Sequence, residues 1–169
     1  RNHVFRQVSS ILVLAVLICV LAAPASAAIG SIIAWGDDWA GQVTDVPEGN
    51  TFVAISAFSD TGVALKNDGS LVGWGNNGDP SDGRASPPSG SDYIAVSQGY
   101  NHGLALKSDG SIAGWGSNDA GQLTIPAGTD YTAVSAGAAY STAIKSDGSL
   151  IGWGWSGPSG LCYPPSGTG

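Results

Sequence analysis

One ten-residue phrase recurs along the chain and limits what the chain can fold into. It reads KNDGSLVGWG at 66–75, KSDGSIAGWG at 107–116 and KSDGSLIGWG at 145–154, and its second half stands at 31–36 as SIIAWG. The phrase contains a tryptophan, and these tryptophans are spaced 39, 41 and 38 residues apart. They are Trp35, Trp74, Trp115 and Trp153. A fixed period of this length is the signature of a repeat architecture, in which each unit is one small supersecondary structure.

Each unit contains three short segments with the composition of β-strands. In the second unit they are YIAVS at 93–97, LALK at 104–107 and SIAGWG at 111–116. The Asp-Gly pair between the last two segments predicts a hairpin closed by a type I′ turn, because glycine accepts positive φ and aspartate tolerates it. After residue 28 no stretch shows helical periodicity over ten or more residues. The sequence therefore predicts an all-β protein.

Loops rich in glycine, proline, asparagine and aspartate connect the units. They contain Pro47, Pro88 and Pro126. Because proline cannot donate to a strand ladder, any fourth strand in these loops is expected to be an edge strand. Units of three to four antiparallel strands at this period are typical of β-propeller blades. We expect about three full blades with partial ends, in units near 36–75, 76–116 and 117–154.

The joint pattern of residues 93–123, YIAVSQGYNHGLALKSDGSIAGWGSNDAGQL, resembles the repeats of the regulator of chromosome condensation family. The similarity extends over 31–156. The short period is closest in style to bacterial secreted members, such as the propeller-type β-lactamase inhibitor proteins. The resemblance implies a β-propeller that acts through protein–protein contacts. The family's nucleotide-exchange activity is not carried over, since no residues that match an exchange loop are found.

The number of units bears on closure of the propeller. Closed propellers have roughly four to eight blades, whereas this sequence holds about three, which leaves sheet edges unpaired. Unpaired edges invite pairing with another chain. We therefore expect a piece of a longer closed propeller, with an open arc and self-association through the open sheet edges as alternatives.

The first 28 residues have the composition of a signal peptide. A positively charged start precedes an apolar run at 11–23, and small residues follow in the pattern of a cleavage site. The run is shorter than the roughly 20 apolar residues of a spanning helix. We expect cleavage to leave 29–169 as the repeat array in a secreted or extracytoplasmic location, without membrane insertion. Cys162 is then alone in the mature chain, so no intrachain disulfide can form, and we expect an inert thiol, with a disulfide between chains as the alternative.

The charge of the remaining chain excludes some partners. Two of the six Lys and Arg residues precede residue 29, which leaves four against thirteen Asp and Glu, a net charge of 4 − 13 = −9. An acidic chain is repelled by phosphate backbones and by anionic membrane surfaces. We therefore predict no nucleic-acid partner. A basic protein partner would be favoured by electrostatic steering.

The repeated Asp-Gly turns invite comparison with a calcium site. Asp68, Asp109 and Asp147 each precede glycine and serine. A calcium loop needs several carboxylate or amide ligands and a distant bidentate glutamate, and these turns offer one carboxylate each. We predict that they are turn devices, and we predict no metal and no cofactor.

His102 is the one histidine after residue 28 and so the first candidate for catalysis. It stands at the repeat position held by Thr61 and Tyr140 in the other units, which indicates a scaffold position. The repeat core contains no G-x-S-x-G nucleophile elbow. A hydrolytic site needs a nucleophile, a histidine and a carboxylate brought together in space. We predict no catalytic residues and a protein that is not an enzyme.

Function is expected in the loops, because they differ between units while the strands repeat. Aromatic residues on a polar edge are typical anchors of interfaces, whereas the repeated tryptophans are expected to pack in the core. The predicted contact residues are Trp39, Phe58, Asp60, Tyr100, Asn101, His102, Tyr140 and Trp155. The sequence predicts a secreted or envelope-associated module that binds a protein partner of unknown identity. The alternatives are a carbohydrate-binding or cell-surface array that contacts polysaccharide and, with less support, an enzyme.

Overall fold

Three antiparallel sheets follow one another along the chain in the computed structural model, which describes residues 29–76 and 83–155. The first sheet contains β1 (Phe52–Phe58), β2 (Thr61–Lys66) and β3 (Leu71–Gly75). The second contains β4 (Tyr93–Gln98), β5 (His102–Lys107) and β6 (Ile112–Gly116). The third contains β7 (Tyr131–Ala136), β8 (Tyr140–Lys145) and β9 (Leu150–Gly154). The all-β repeat predicted from the sequence is confirmed.

The predicted signal segment 1–28 and Cys162 lie outside the described residues. Within the described ranges, no helix has the length and apolar character needed to cross a membrane.

Strand register repeats from sheet to sheet. Each first strand carries a bulge directly after its opening aromatic residue, at Phe52, Tyr93 and Tyr131. Each second strand begins opposite the last glycine of the third strand, in the pairs Thr61–Gly75, His102–Gly116 and Tyr140–Gly154. Residues in matching register are therefore structurally equivalent, and their environments can be compared between units.

The Asp-Gly hairpins form, but their turn type differs from the prediction. In the second sheet, the amide of Gly110 donates to Lys107 O at 3.0 Å and the amide of Lys107 donates to Ser111 O at 2.9 Å. Gly110 has φ +80°, whereas Asp109 is not at positive φ. This is a three-residue loop with a left-handed glycine, the type I turn with a G1 bulge. The prediction of a type I′ turn was wrong, because that turn has a two-residue loop. The Asp109 carboxylate accepts from the Ser111 amide and hydroxyl, at 2.9 and 2.6 Å.

A fourth strand is not formed in the loops that the structure describes throughout, at 37–51 and 117–130. These segments turn and then run along the neighbouring sheet. Gly30 makes one isolated bridge to Phe52, the contact that matches the hydrogen bonds from Tyr93 to Gly69 and from Tyr131 to Gly110. Residues 31–36 therefore correspond to the third strand of a preceding unit.

Apolar side chains fill the space between successive sheets. Between the second and third sheets, Leu104 and Leu106 pack with Tyr131, Ala143 and Trp153 in one buried cluster. A matching cluster between the first and second sheets includes Val63, Leu65, Tyr93, Ala105 and Trp115. Burial of one such large side chain contributes about 1.5–3 kcal/mol, so face-to-face packing of the sheets is the main source of stability.

Three of the four repeated tryptophans connect one unit to the next, as expected of core residues. Their indole N–H groups donate to backbone carbonyls in the preceding loop. The pairs are Trp74 to Gln42 O at 3.1 Å, Trp115 to Arg84 O at 3.0 Å and Trp153 to Gln122 O at 2.8 Å. Trp35 is different, because 83% of its surface is exposed. The prediction that Trp35 packs in the core was wrong. Among the described residues, no second strand lies beside segment 31–36 to cover its tryptophan.

Candidate recognition surface

The strands end on two opposite edges of the array, which differ in composition. We call one the loop rim; it is formed by the loops between first and second strands and by the residues that follow each third strand. Its first set is 59–60, 99–101 and 137–139, and its second set begins at 37, 76, 117 and 155. We call the other the turn rim; it is formed by the Asp-Gly turns at 67–69, 108–110 and 146–148.

Backbone hydrogen bonds join the two loop sets of the loop rim. The amide of Asn76 donates to Asp60 O at 2.9 Å, that of Ser117 to Asn101 O at 2.8 Å and that of Trp155 to Ala139 O at 2.9 Å. The Tyr100 amide also donates to Gly137 O at 3.2 Å, which connects the second and third sheets at this rim. The variable loops of the sequence therefore lie on one continuous edge.

Aromatic side chains are exposed along the loop rim. Tyr100 is 46% exposed and Trp155 is 58% exposed. The half-buried ring of Phe58 meets the Tyr100 ring edge to face, with centroids 6.1 Å apart and an interplanar angle of 81°. Trp39, in the loop that leaves this rim, is 67% exposed. Exposed aromatic groups with a fixed position are suited to serve as contact anchors.

Asp60, one of the predicted contact residues, is buried, so its side chain is not accessible to a partner. Its Oδ2 accepts from Asn76 Nδ2 at 2.8 Å, and its Oδ1 lies 3.6 Å from the Arg84 guanidinium. Both partners belong to segments that lie far along the chain from Asp60. The carboxylate therefore ties the loop rim together and does not face a partner.

His102 is also buried and leaves the contact set. Its Nε2 lies 2.9 Å from Ser141 Oγ, and that hydroxyl donates to Gln122 O at 2.8 Å. Because the hydroxyl proton is used by the carbonyl, Nε2 donates to Ser141, and Nδ1 is the unprotonated nitrogen. Nδ1 has no hydrogen-bond partner among the described residues. Burial lowers the pKa of His102 to about 4.

This histidine–serine pair does not have the geometry of a nucleophilic site. Both side chains are fully buried, and the serine proton points to a carbonyl instead of to the histidine. A catalytic dyad needs an accessible nucleophile whose proton the imidazole accepts. The pair is an inter-sheet hydrogen bond that neither residue's sequence context predicts, because the two positions are 39 residues apart.

Asn101 and Tyr140, the remaining predicted contact residues, are half-buried on the loop rim. The carbonyl of Asn101 is used by Ser117. The ring of Tyr140 lies against Gly137, where a Cβ would meet it at 2.6 Å. Both keep part of their surface open to solvent.

Side-chain hydrogen bonds hold the loop that carries Trp39. The Asp38 carboxylate accepts from the amides of Val43 at 2.8 Å and Thr44 at 3.1 Å. These bonds, chiefly that from Val43, lower the pKa of Asp38. In the third inter-unit loop Asn118 accepts from the Leu123 amide at 2.7 Å in the same way. These loop hydrogen bonds were not predicted from the sequence, although the shared Ala-Gly-Gln, which begins two residues after Asp38 and after Asn118, is a signal for them.

The lysines lie on the turn rim, and two of them each contact an aspartate and the ring of a tyrosine. Lys107 Nζ lies 3.2 Å from Asp92 and 5.5 Å from the centre of the Tyr93 ring. Lys145 repeats this arrangement with Asp130 and Tyr131 at 3.2 and 5.5 Å. The hydrogen bond with the aspartate raises the pKa of each lysine. These pairs clamp the first strand of a sheet to the end of its second strand.

The aspartates of the Asp-Gly turns stabilise the hairpin turns through local hydrogen bonds. The carboxylates of Asp68, Asp109 and Asp147 accept from the serine two residues later, which lowers the pKa of each. Across 29–76 and 83–155, no group of three or more histidine, cysteine, aspartate or glutamate side chains is placed to hold a metal ion.

The fold and the two rims define a β-propeller-type repeat array. The family model of the Regulator of chromosome condensation (RCC1) repeat matches residues 93–122. Residues 93–122 are thus similar to a repeat of this family, and the resemblance in the sequence is confirmed. The closer similarity to the bacterial inhibitor proteins stays a prediction. No curated protein sequence matches the chain.

Solved structures show the same fold. Yeast RCC1 (Prp20) bound to Kap60 matches with a TM-score of 0.64 and 18% identity over 80% of this chain and 42% of that chain. A structure of Prp20p from Saccharomyces cerevisiae gives a TM-score of 0.61 and 18% identity, over 74% of this chain and 41% of that chain. The ectodomain of the receptor kinase ACR4 from Arabidopsis thaliana gives 0.58 and 19%, over 76% and 45%. The chain therefore spans less than half the length of each of these structures.

Proposed function

We propose that this chain is a non-catalytic, secreted or envelope-associated module that binds a protein partner through its loop rim. The observation that carries the proposal is the convergence of both variable loop sets on one edge, where Trp39, Tyr100 and Trp155 are exposed. Loops on a rigid scaffold are where proteins commonly place their contacts. The strands beneath are fixed by repeated inter-sheet packing.

Hydrogen bonds between neighbouring sheets hold the strands that carry the loop rim. The hydroxyls of Ser56 and Ser97 each accept from a backbone amide of the next sheet at 3.0 Å. With the Tyr100–Gly137 bond, these contacts hold neighbouring first strands in place. A surface that is ordered before binding loses less entropy on association.

Two of the similar structures support a protein partner for this kind of array. One is yeast RCC1 (Prp20) in complex with Kap60, and the other study concerns the binding of Prp20p to Gsp1p and histones. Their sequence identity to this chain is below one fifth. The partner of this chain therefore does not follow from theirs and has to be identified by experiment.

The proposal is tested by affinity capture from the cell fraction in which the chain occurs. Wild type is compared with a Tyr100→Ala, Trp155→Ala double variant, and Leu150→Ala serves as a control for the loss of an exposed apolar side chain away from the rim. We expect one protein to be enriched by wild type and by the control, and to be lost with the double variant.

Polysaccharide binding is the competing outcome, since exposed tryptophan and tyrosine also stack on sugar rings. Retention of the chain on polysaccharide columns, together with no protein that depends on Tyr100 and Trp155, would reject the proposal. Capture that is equal for the double variant and wild type would reject the loop rim as the contact surface.

A further inference from the structure

Aromatic side chains lie along the loop rim in addition to half-buried Tyr140. Trp39 belongs to the first, partial unit, Phe58 to the first sheet, Tyr100 to the second and Trp155 to the third. They come from different positions of the repeat, so the internal symmetry of the scaffold does not account for them. The row is continuous where contacts can be followed, from the Phe58 ring to Tyr100 and through Tyr100 N to Gly137 O.

The loop rim also carries carboxylates, in the residues that follow third strands. Asp37 and Asp119 are exposed and Asp38 is half-buried. Among the described residues of the loop rim, the one cation is the Arg84 guanidinium, which is paired with buried Asp60. The open part of this rim thus combines aromatic faces with unneutralised negative charge.

The turn rim lacks this combination. Its tyrosines, Tyr93 and Tyr131, are buried, and their faces are occupied by Lys107 and Lys145. Two of its carboxylates, Asp92 and Asp130, are neutralised by the same lysines. At this edge, therefore, the chain's own lysines occupy a place between an aromatic ring and a carboxylate. The loop rim also presents aromatic rings and carboxylates, but among the described residues no lysine contacts them.

We propose that the loop rim recognises an arginine-rich, extended segment of its protein partner, and this rests on the proposed function. Guanidinium groups stack on Tyr100, Trp155 and Trp39 and pair with Asp37, Asp38 and Asp119. Arginine fits better than lysine, because its planar group stacks on a ring and offers a fork of donors to a carboxylate at the same time. The exposed carboxylates also steer a basic segment to this edge.

A labelled peptide of alternating arginine and glycine is the probe, measured by fluorescence anisotropy at low and at physiological salt. The same peptide with citrulline in place of arginine keeps the shape and removes the charge. We expect the arginine peptide to bind the chain at least about tenfold more tightly than the citrulline peptide. The lysine version is expected to fall between them.

Matched variants locate the binding. Asp37→Asn with Asp119→Asn changes the loop rim, and Asp109→Asn with Asp147→Asn makes the same change in net charge on the turn rim. We expect the first pair, and Tyr100→Ala separately, to weaken the arginine peptide roughly three- to tenfold. The turn-rim pair and Leu150→Ala are expected to leave the affinity within about twofold.

Equal loss with both aspartate pairs would overturn the inference, because binding would then follow net charge alone. Equal affinity for arginine and citrulline peptides would also overturn it. A captured protein that depends on Tyr100 and Trp155, but is not displaced by the arginine peptide, would leave the proposed function in place and reject arginine recognition.

Discussion

His102 is a neutral, buried histidine whose charge state depends on folding. Burial lowers its pKa from the ordinary 6.5 to about 4, so the unfolded chain binds a proton in the pH range where the folded chain does not. The free energy of unfolding therefore decreases as the pH falls from about 6.5 to about 4, and it increases when the pH is raised over the same interval. The cause is the enclosed position of the imidazole between the second and third sheets.

We predict that this histidine accounts for a loss of about 3 kcal/mol between pH 7 and pH 4, at 1.36 kcal/mol for each pKa unit. The measurement is the free energy of unfolding in urea at several pH values. His102→Thr, with the residue found at the equivalent Thr61, is expected to be less stable at pH 7 and to lose much less stability over this interval, with only a small remaining loss from the carboxylates of lowered pKa. A slope that is unchanged in His102→Thr would show that other groups titrate there.

The repeated turn glycines share a left-handed backbone but differ in what surrounds them. Gly110 has φ +80° and Gly148 has φ +83°. A Cβ at Gly110 would lie against the carbonyl oxygen of Thr129, whereas a Cβ at Gly148 would meet no atom of the described residues within 4 Å. The difference arises because the loop of the next unit covers the turn of the second sheet.

We predict that Gly148→Ala costs about 1–2 kcal/mol from backbone strain alone. Gly110→Ala is expected to cost about 1–3 kcal/mol more, since overpacking adds to the same strain. Urea unfolding of the two variants gives the difference directly. Equal costs would mean that the loop at Thr129 moves freely away from the turn.

Each second strand places its large side chain against the next sheet and a small one against the previous sheet. In the second sheet these are Leu106 and Ala105, which pack in different clusters. Ile144 is the equivalent of Leu106 in the third sheet, yet it is 40% exposed where Leu106 is 2% exposed. The environment of a repeat position is thus set by the following unit.

We predict that Leu106→Ala costs about 2–5 kcal/mol, as expected for a large side chain removed from a packed core. Ile144→Ala is expected to cost less than about 1 kcal/mol, because much of its surface is already in contact with water. Thermal and urea unfolding of the pair test this. A cost for Ile144→Ala near that of Leu106→Ala would show that the third sheet's outer face is covered in solution.

The strands could be predicted from the sequence because alternation, β-branched residues and the Asp-Gly pair are local signals. The predicted turn type was wrong because the loop contains three residues, 108–110, whereas a type I′ turn has two. The convergence of the loops on one rim follows from antiparallel pairing once strand order is known. The burial of Asp60 and His102 depends on Arg84 and Ser141 in other units, which local patterns do not specify.

At the scale of the whole molecule, the two edges of the array differ in the chemical groups that they expose. On the turn rim, Lys107 and Lys145 pair with Asp92 and Asp130 and contribute to holding each sheet together. The loop rim carries exposed aromatic groups and carboxylates that have no lysine partner among the described residues. A scaffold that repeats and a rim that varies are what a recognition module requires.

Site-specific photocrosslinking tests this division most directly. A photoreactive phenylalanine analogue replaces Tyr100 on the loop rim or Ser146 on the turn rim, and the chain is irradiated in the cell fraction where it occurs. We predict a discrete protein adduct from the Tyr100 position and none from the Ser146 position. An adduct from Ser146 alone, or no protein adduct from Tyr100, would contradict protein recognition through the loop rim.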